Sequence, residues 1–172
     1  MLPLPKFPLL WLALLVLLFP QPLFAQKTFK TSVPSVVQIT RRSGYIFAGT
    51  VLTVERTAGD SVKITFHIDR GIRGVRTGAN LTIREWSGLW SVGERYRQGQ
   101  RVMLFLYKPS KLGLTSPVGG SLGRMEVDPR GKIILQPAWQ TELSRGSTPE
   151  PRLQNRVSVR DFTRALRRPA EE

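Results

Sequence analysis

Between Ile46 and Tyr107, apolar and polar residues alternate in short runs separated by turn-forming residues. The run IFAGTVLTVE predicts a first strand beginning at Tyr45, with Ile46, Ala48, Leu52 and Val54 facing in and Gly49 permitting a sharp bend or bulge. Arg56 to Asp60, with Gly59, predicts a hairpin into SVKITFHID. There Val62, Ile64, Phe66 and Ile68 fall on one face, and Lys63, Thr65, His67 and Asp69 on the other. A glycine-punctuated stretch (Gly71, Gly74, Gly78) leads to NLTIREW, where Leu81 and Ile83 supply the inward set of a third strand. Val102 to Leu106 is apolar at every position, which predicts a strand buried on both faces. The turn DPRG, Asp128 to Gly131, predicts a late hairpin joining MEV to KIIL, because Pro fixes one turn position and Gly tolerates the left-handed one. Short strands at this spacing predict a small, strongly bent sheet or closed barrel, an all-β fold.

Helical periodicity is confined to the flanks. Pro34 suits a first helical turn, Gly44 a C-cap, and Arg41 and Arg42 the carbonyl end of the dipole, so a short helix is expected over residues 34–43. The β-branched run VVQIT would also suit a strand. SRGSTPEPRLQN has no periodicity and, with the two residues after it, reads as a linker, 144–157. Ser158 then caps a helix over 158–168, with Asp161 three residues on, Val159, Phe162 and Leu166 along one face, and Pro169 as its stop. The arginines at 152, 156, 160, 164 and 168 are four apart and would form a basic ridge on a helix that began early. Docking on the sheet is the plain expectation for this helix; a basic amphipathic membrane-surface helix is the alternative.

The first 25 residues have the layout of a secretory signal peptide. Lys6 precedes an apolar run from Leu9 to Phe19, Pro20 and Pro22 break any helix, and Ala25 offers a cleavage point before Gln26. The run is short of the roughly 20 apolar residues needed to span a bilayer. An exported chain, periplasmic or extracellular, is therefore expected, with residues 26–143 as a β-barrel domain carrying a leading helix. The chain has no cysteine, so disulfides, thiol chemistry and a lipid anchor on Cys are excluded, and packing alone must hold the fold. Basic residues outnumber acidic ones 26 to 12, a surplus that suits anionic partners such as envelope lipid head groups or acidic polysaccharide. Of the 26, 19 are Arg, which a coding bias would also produce, and the charges are not pooled in one tract.

Several patterns recur in an order resembling a known architecture. A short helix around Pro34 is followed by F-x-G-x-V (Phe47, Gly49, Val51) and by Phe66 to Gly74. Gly93, Tyr96 and the Val102–Leu106 strand complete the series. Together they resemble the netrin-type OB fold of tissue inhibitors of metalloproteinases and of bacterial relatives of that fold, over roughly residues 33–166. The resemblance implies an OB-like barrel with short flanking helices. It does not carry over inhibition: those inhibitors engage the protease zinc through an N-terminal Cys, and this chain has none.

Catalysis needs a base with an orienting partner. The single histidine, His67, lies on the polar face of a regular strand, and the carboxylates lack metal-ligand spacing, so no catalytic, cofactor-binding or metal-binding residue is expected. The glycines of SPVGGSLGR lack the Lys-Ser/Thr pair of a phosphate loop and fit a flexible hairpin or bulged strand. The candidate recognition surface is REWSGLWSVGERYR, with Arg84, Trp86, Trp90, Arg95, Tyr96 and Arg97 able to stack on and hydrogen-bond a planar or anionic partner. Alternatively, Trp86 and Trp90 plug an end of the barrel. The function expected is a non-catalytic binding module for a protein or envelope component. Rival readings are an inhibitor or accessory of an exported protease acting through loops, and an enzyme of unrecognised type. Nucleic acid is a poor candidate partner in that compartment.

The signal layout generates the first prediction. The exported protein should begin at Gln26 by intact-mass measurement; a membrane-bound product retaining Met1 would refute it.

Overall fold

The computed structural model describes residues 35–57, 59–91, 95–145 and 155–167, all within the unit Val33–Glu172. The signal segment 1–25, its cleavage point at Ala25, Pro34, and Arg152, Arg168 and Pro169 lie outside the described residues.

The leading segment is a helix rather than a strand, α1 (Val36–Arg42), and its start signal is Ser35. The Ser35 hydroxyl accepts from the Gln38 amide at 3.2 Å while the Gln38 side chain accepts from the Ser35 amide at 3.3 Å, a reciprocal capping box that outweighs the β-branched composition. Gly44 is not the C-cap. Ser43 ends the helix in an extended conformation, its hydroxyl donating to the Ile39 carbonyl at 2.7 Å. Gly44 is required instead because a Cβ there would lie 2.8 Å from the Lys108 backbone nitrogen. The last carbonyls of α1 are met by Arg73, whose guanidinium donates to Thr40 and Ser43.

The fold is mostly β. Five antiparallel strands pair in the order β3-β2-β1-β4-β5: β1 Tyr45–Arg56, β2 Ser61–Arg73, β3 Asn80–Trp86, β4 Arg101–Leu106 and β5 Arg124–Glu126. As its uniform apolarity predicts, β4 is buried on both faces. Val102, Leu104 and Leu106 join Phe47, Val51, Val62, Ile64, Phe66, Ile68 and Ile83 in one core; Met103 and Phe105 join Ile46 and Ala48 in a second core beneath the helices. The expectation for β1 needs correction. Both of its faces are buried from Ile46 to Ala48, and ahead of the register shift between Val51 and Thr53 it is Val51, not Leu52, that is buried. The bulge expected at Gly49 is present as a register shift between Ala48 and Gly49, where a Cβ would sit 2.6 Å from the His67 carbonyl oxygen.

After β4 the chain reverses and Leu114–Pro117 hydrogen-bonds on two sides. Thr115 N donates to Arg84 O of β3 at 2.8 Å, in a parallel bridge, and Ser116 O accepts from Tyr107 N at 3.1 Å, just past the end of β4. The expected hairpin or bulged strand at SPVGGSLGR is instead a 3-10 turn, Gly120–Gly123, entered through left-handed Gly119. Around DPRG the Asp128 carboxylate accepts from Lys132 N at 2.9 Å and its carbonyl from Gly131 N at 2.9 Å, so the turn forms as predicted. Its second strand, β6 (Lys132–Ile134), meets the first through a single bridge, Val127 to Ile133, and finds its main partner in β7 (Arg156–Ser158). Residues 156 and 157, read from sequence as linker, are therefore strand; 146–154 lie outside the described residues. A helix unforeseen in the sequence, α2 (Pro137–Arg145), seats Trp139 in the second core, its indole donating to Leu122 O at 2.8 Å.

The final helix, α3 (Val159–Arg167), forms where expected. Ser158 Oγ accepts from Asp161 N at 3.1 Å, Phe162 is fully buried, and Val159 and Leu166 are half-buried beside it. Phe162 stacks tilted on Trp139 (5.2 Å between ring centroids) and edge-on to Phe105 (6.2 Å), which ties α3 to α2 and β4 at once. Phe162→Ala should accordingly cost about 3–5 kcal/mol by urea denaturation, against under about 0.5 kcal/mol for exposed Leu112→Ala. An unchanged midpoint for Phe162→Ala would detach α3 from the core.

Candidate functional site

The Arg84–Arg97 connection is organised by a residue that sequence reasoning passed over, Glu85. Period-two alternation in β3 sends Leu81, Ile83 and Glu85 to the same face, and Val62, opposite Glu85, is a core residue. The carboxylate is consequently delivered into the first core with no solvent exposure. Its neighbours arrive from the chain that follows: a 3-10 turn, Ser87–Trp90, and the approach to β4. Trp90 Nε1 donates to Oε2 at 3.2 Å and Tyr96 Oη donates to Oε1 at 3.1 Å. Arg95 Nε forms an ion pair with Oε2 at 3.1 Å. Behind the carboxylate, Tyr96 stands edge-on to Phe66 at 5.5 Å and tilted against Trp90 at 5.8 Å, and the Arg124 guanidinium lies 5.2 Å from the Tyr96 ring centre.

The electrostatics follow from this burial. Loss of water raises the Glu85 carboxyl above its ordinary value of 4.5, opposed by the Arg95 charge and the hydrogen bonds from Tyr96 and Trp90. Burial, reinforced by the adjacent Glu85 charge, pushes the Tyr96 phenol far up, so it remains a donor. Both carboxylate oxygens are engaged by this chain's own groups, and the cluster acts as a tie between β3, the 3-10 turn and the approach to β4.

The six candidate residues therefore divide. Trp90 and Tyr96 are buried, and Arg95 is largely covered against Glu85. Arg84 is exposed, its Nη2 donating to Ser61 Oγ at 3.1 Å. Trp86 is 54% exposed, its ring lying over Gly88, and Arg97 is exposed. Outside the buried cluster is a cleft of about 360 Å³ bounded by Val54, Arg56, Val62, Trp90, Tyr96, Arg97 and Gln98. The cluster thus forms part of its wall, with Arg56 and Arg97 at the exposed margin. His67 lies elsewhere, across the β2–β3 pair, with Nδ1 3.2 Å from Asn80 Oδ1. The signal that could have revealed Glu85 was its parity: it is the third inward position of an otherwise apolar face.

No protein-family model matches the sequence, and no curated protein is significantly similar to it.

Two carboxylates should give stability opposite slopes with pH. Glu85, raised in the folded state, favours folding most below its ordinary 4.5, and that contribution is lost as pH rises through its elevated value. Asp128 is lowered, first by the Lys132 amide and further by the Arg130 amide and the Arg156 charge, so its contribution is present above 3.8 and lost as pH falls through its depressed value. In urea titrations from pH 3 to 9, Glu85→Gln should flatten the decline above pH 4.5 and Asp128→Asn the rise on the acid side. Glu85→Ala, leaving Arg95, Trp90 and Tyr96 without their acceptor, should cost about 3–5 kcal/mol at neutral pH. A Glu85→Gln profile parallel to wild type would place the pH dependence elsewhere.

Proposed function

We propose that this chain is an exported, non-catalytic binding module for a protein or cell-envelope component, built on an OB-like barrel. Export is supported by the apolar run Leu9–Phe19, the prolines after it and the small residue Ala25. The barrel reading is supported by Leu114–Pro117: its bridge to β3 is parallel and its bridge to Leu106 of β4 antiparallel, as in a strand that joins the two ends of a bent sheet.

The observation that carries the binding reading is the cleft of about 360 Å³ walled by Trp90 and Tyr96 and edged by Arg56 and Arg97. The buried aromatics give the cleft a rigid apolar base, and arginines at the margin give directional, charge-assisted hydrogen bonds; both residue types dominate interface energetics. Glu85 fixes the wall from behind, so the surface is preorganised rather than assembled on contact. Trp86, exposed at the end of β3, adds a second apolar anchor on the same connection.

A photo-reactive phenylalanine analogue in place of Trp86 should yield a discrete adduct in exporting cells, identified by mass spectrometry, while the same group in place of Arg130 in the distant turn should not. Arg97→Ala should reduce the adduct about tenfold, as expected for a charge-assisted contact, with the melting temperature nearly unchanged. Equal adducts from positions 86 and 130, or none from 86, would refute the reading.

A further inference from the structure

The helix-covered side carries a second, smaller cleft that has no part in the binding reading above. It measures about 180 Å³ and is lined by Arg70, Arg160, Thr163 and Arg164. Arg70 comes from the far half of β2; it pairs with Ala48, a residue of the second core, and so stands at the margin of the face that the helices cover. Arg160 and Arg164 come from α3, one turn apart on a single face, the spacing at which helical side chains are neighbours. Burial of Phe162 on the opposite side of α3, with Thr163 buried next to it, fixes the rotation of the helix, so the position of this arginine pair is set by core packing rather than by mutual attraction.

Three arginine side chains line one small cavity, and the protein supplies little opposite charge beside them. Arg164 is 3.3 Å from Asp161, an exposed pair within one helical turn. Among the described residues the side chains of Arg70 and Arg160 make no hydrogen bond or ion pair. Other arginines are committed: Arg73 to the carbonyls ending α1, Arg156 to Asp128 at 3.4 Å, Arg101 to Asp69 at 3.5 Å. The Thr163 hydroxyl donates to Val159 O, so it is already committed within α3 and the arginines are the remaining side-chain donors among the residues that line the cleft.

We propose that this cleft binds a tetrahedral phosphate group through Arg70, Arg160 and Arg164. A guanidinium fork matches two oxygens of a phosphate, and a dianionic tetrahedral group offers enough acceptors and charge for forks arriving from two directions, which a carboxylate does not. The cavity admits such a group together with water. Free phosphate and the head group of an anionic phospholipid present the same chemistry.

The test uses the intact chain with two probes: inorganic phosphate, and vesicles of phosphatidylcholine with or without phosphatidic acid. With inorganic phosphate, the Arg70, Arg160 and Thr163 amide resonances should shift saturably and the melting temperature should rise, since a ligand of the native state stabilises it. Arg70→Gln and Arg160→Gln should each weaken the response about tenfold, the worth of one charge-assisted contact. Arg130→Gln, an equal loss of charge in an exposed turn, should leave it unchanged. Saturable phosphate binding without dependence on phosphatidic acid in vesicle flotation identifies the free anion. Flotation that requires phosphatidic acid and is lost in Arg70→Gln and Arg160→Gln identifies a lipid head group. If Arg130→Gln weakens binding as much as the other two, or neither probe responds to Arg70 and Arg160, the site does not exist. Far-UV circular dichroism of each variant establishes that it is folded.

Discussion

Everything in this domain depends on β4, apolar on both faces, and on the first half of the adjacent β1, where Ile46 to Ala48 are buried on both faces. A strand of this kind cannot lie at a surface: Val102, Leu104 and Leu106 need cover on one side, and Met103 and Phe105 need it on the other. The first side is covered by Val62, Ile64, Phe66 and Ile68 of β2, Ile83 of β3, and Trp90 and Tyr96 from the connection between β3 and β4. The second has no sheet to meet it and is closed by α1, α2, α3 and the β6–β7 ribbon. The helices are thus a structural requirement of the sheet, and the Phe105–Trp139–Phe162 aromatic cluster is where that requirement is met.

The cost of burying Glu85 is the second organising constraint. An ionised carboxylate removed from water is tolerable only where opposite charge and hydrogen bonds replace the lost hydration. Here the replacement comes from Trp90, Arg95 and Tyr96, all in the irregular connection between β3 and β4. That connection lacks a long periodic element to hold it, and Glu85 gives it fixed attachment points. Replacing the whole network with well-packed apolar residues could be neutral in stability, but it would remove the directional bonds that set the position of Trp90 and Tyr96 beside the cleft.

Part of the basic surplus resolves into distinct roles among the described residues. Arg73 ends a helix, Arg95 neutralises a buried carboxylate, Arg124 sits over an aromatic ring, and Arg101 and Arg156 pair with aspartates. These side chains serve the fold. Arg70 and Arg160 serve no such contact among the described residues, and they meet at one cavity. The regular four-residue arginine spacing does not survive as a continuous ridge in the described region: Arg156 lies on β7 and turns to Asp128, while Arg160 and Arg164 remain on one helical face.

The sequence by itself determined the strands, because successive side chains on an extended backbone point to opposite faces and the alternation of Val62 to Ile68 records that geometry directly. It determined the double burial of β4, the Asp128–Gly131 turn and the amphipathic stripe of α3 for the same reason: each is a local pattern written in adjacent residues. Tertiary structure decided the rest. Only the assembled fold buries Val51, on the Phe47 side of β1, in preference to Leu52, and the register shift after Val51 then sets Val54 rather than Thr53 against the same core. Strand Arg156–Ser158 has too few residues for periodicity and exists because β6 offers it an edge. Helix α2 has a weak stripe and is held by Trp139 in a core assembled from distant segments. For the six candidate site residues, composition placed the aromatics and arginines in one connection, but only packing sent Trp90 and Tyr96 inward to Glu85 and left Trp86, Arg84 and Arg97 outside. Inward and outward orientation in an irregular connection is not a property of spacing; it is set by which buried acceptor the chain must satisfy.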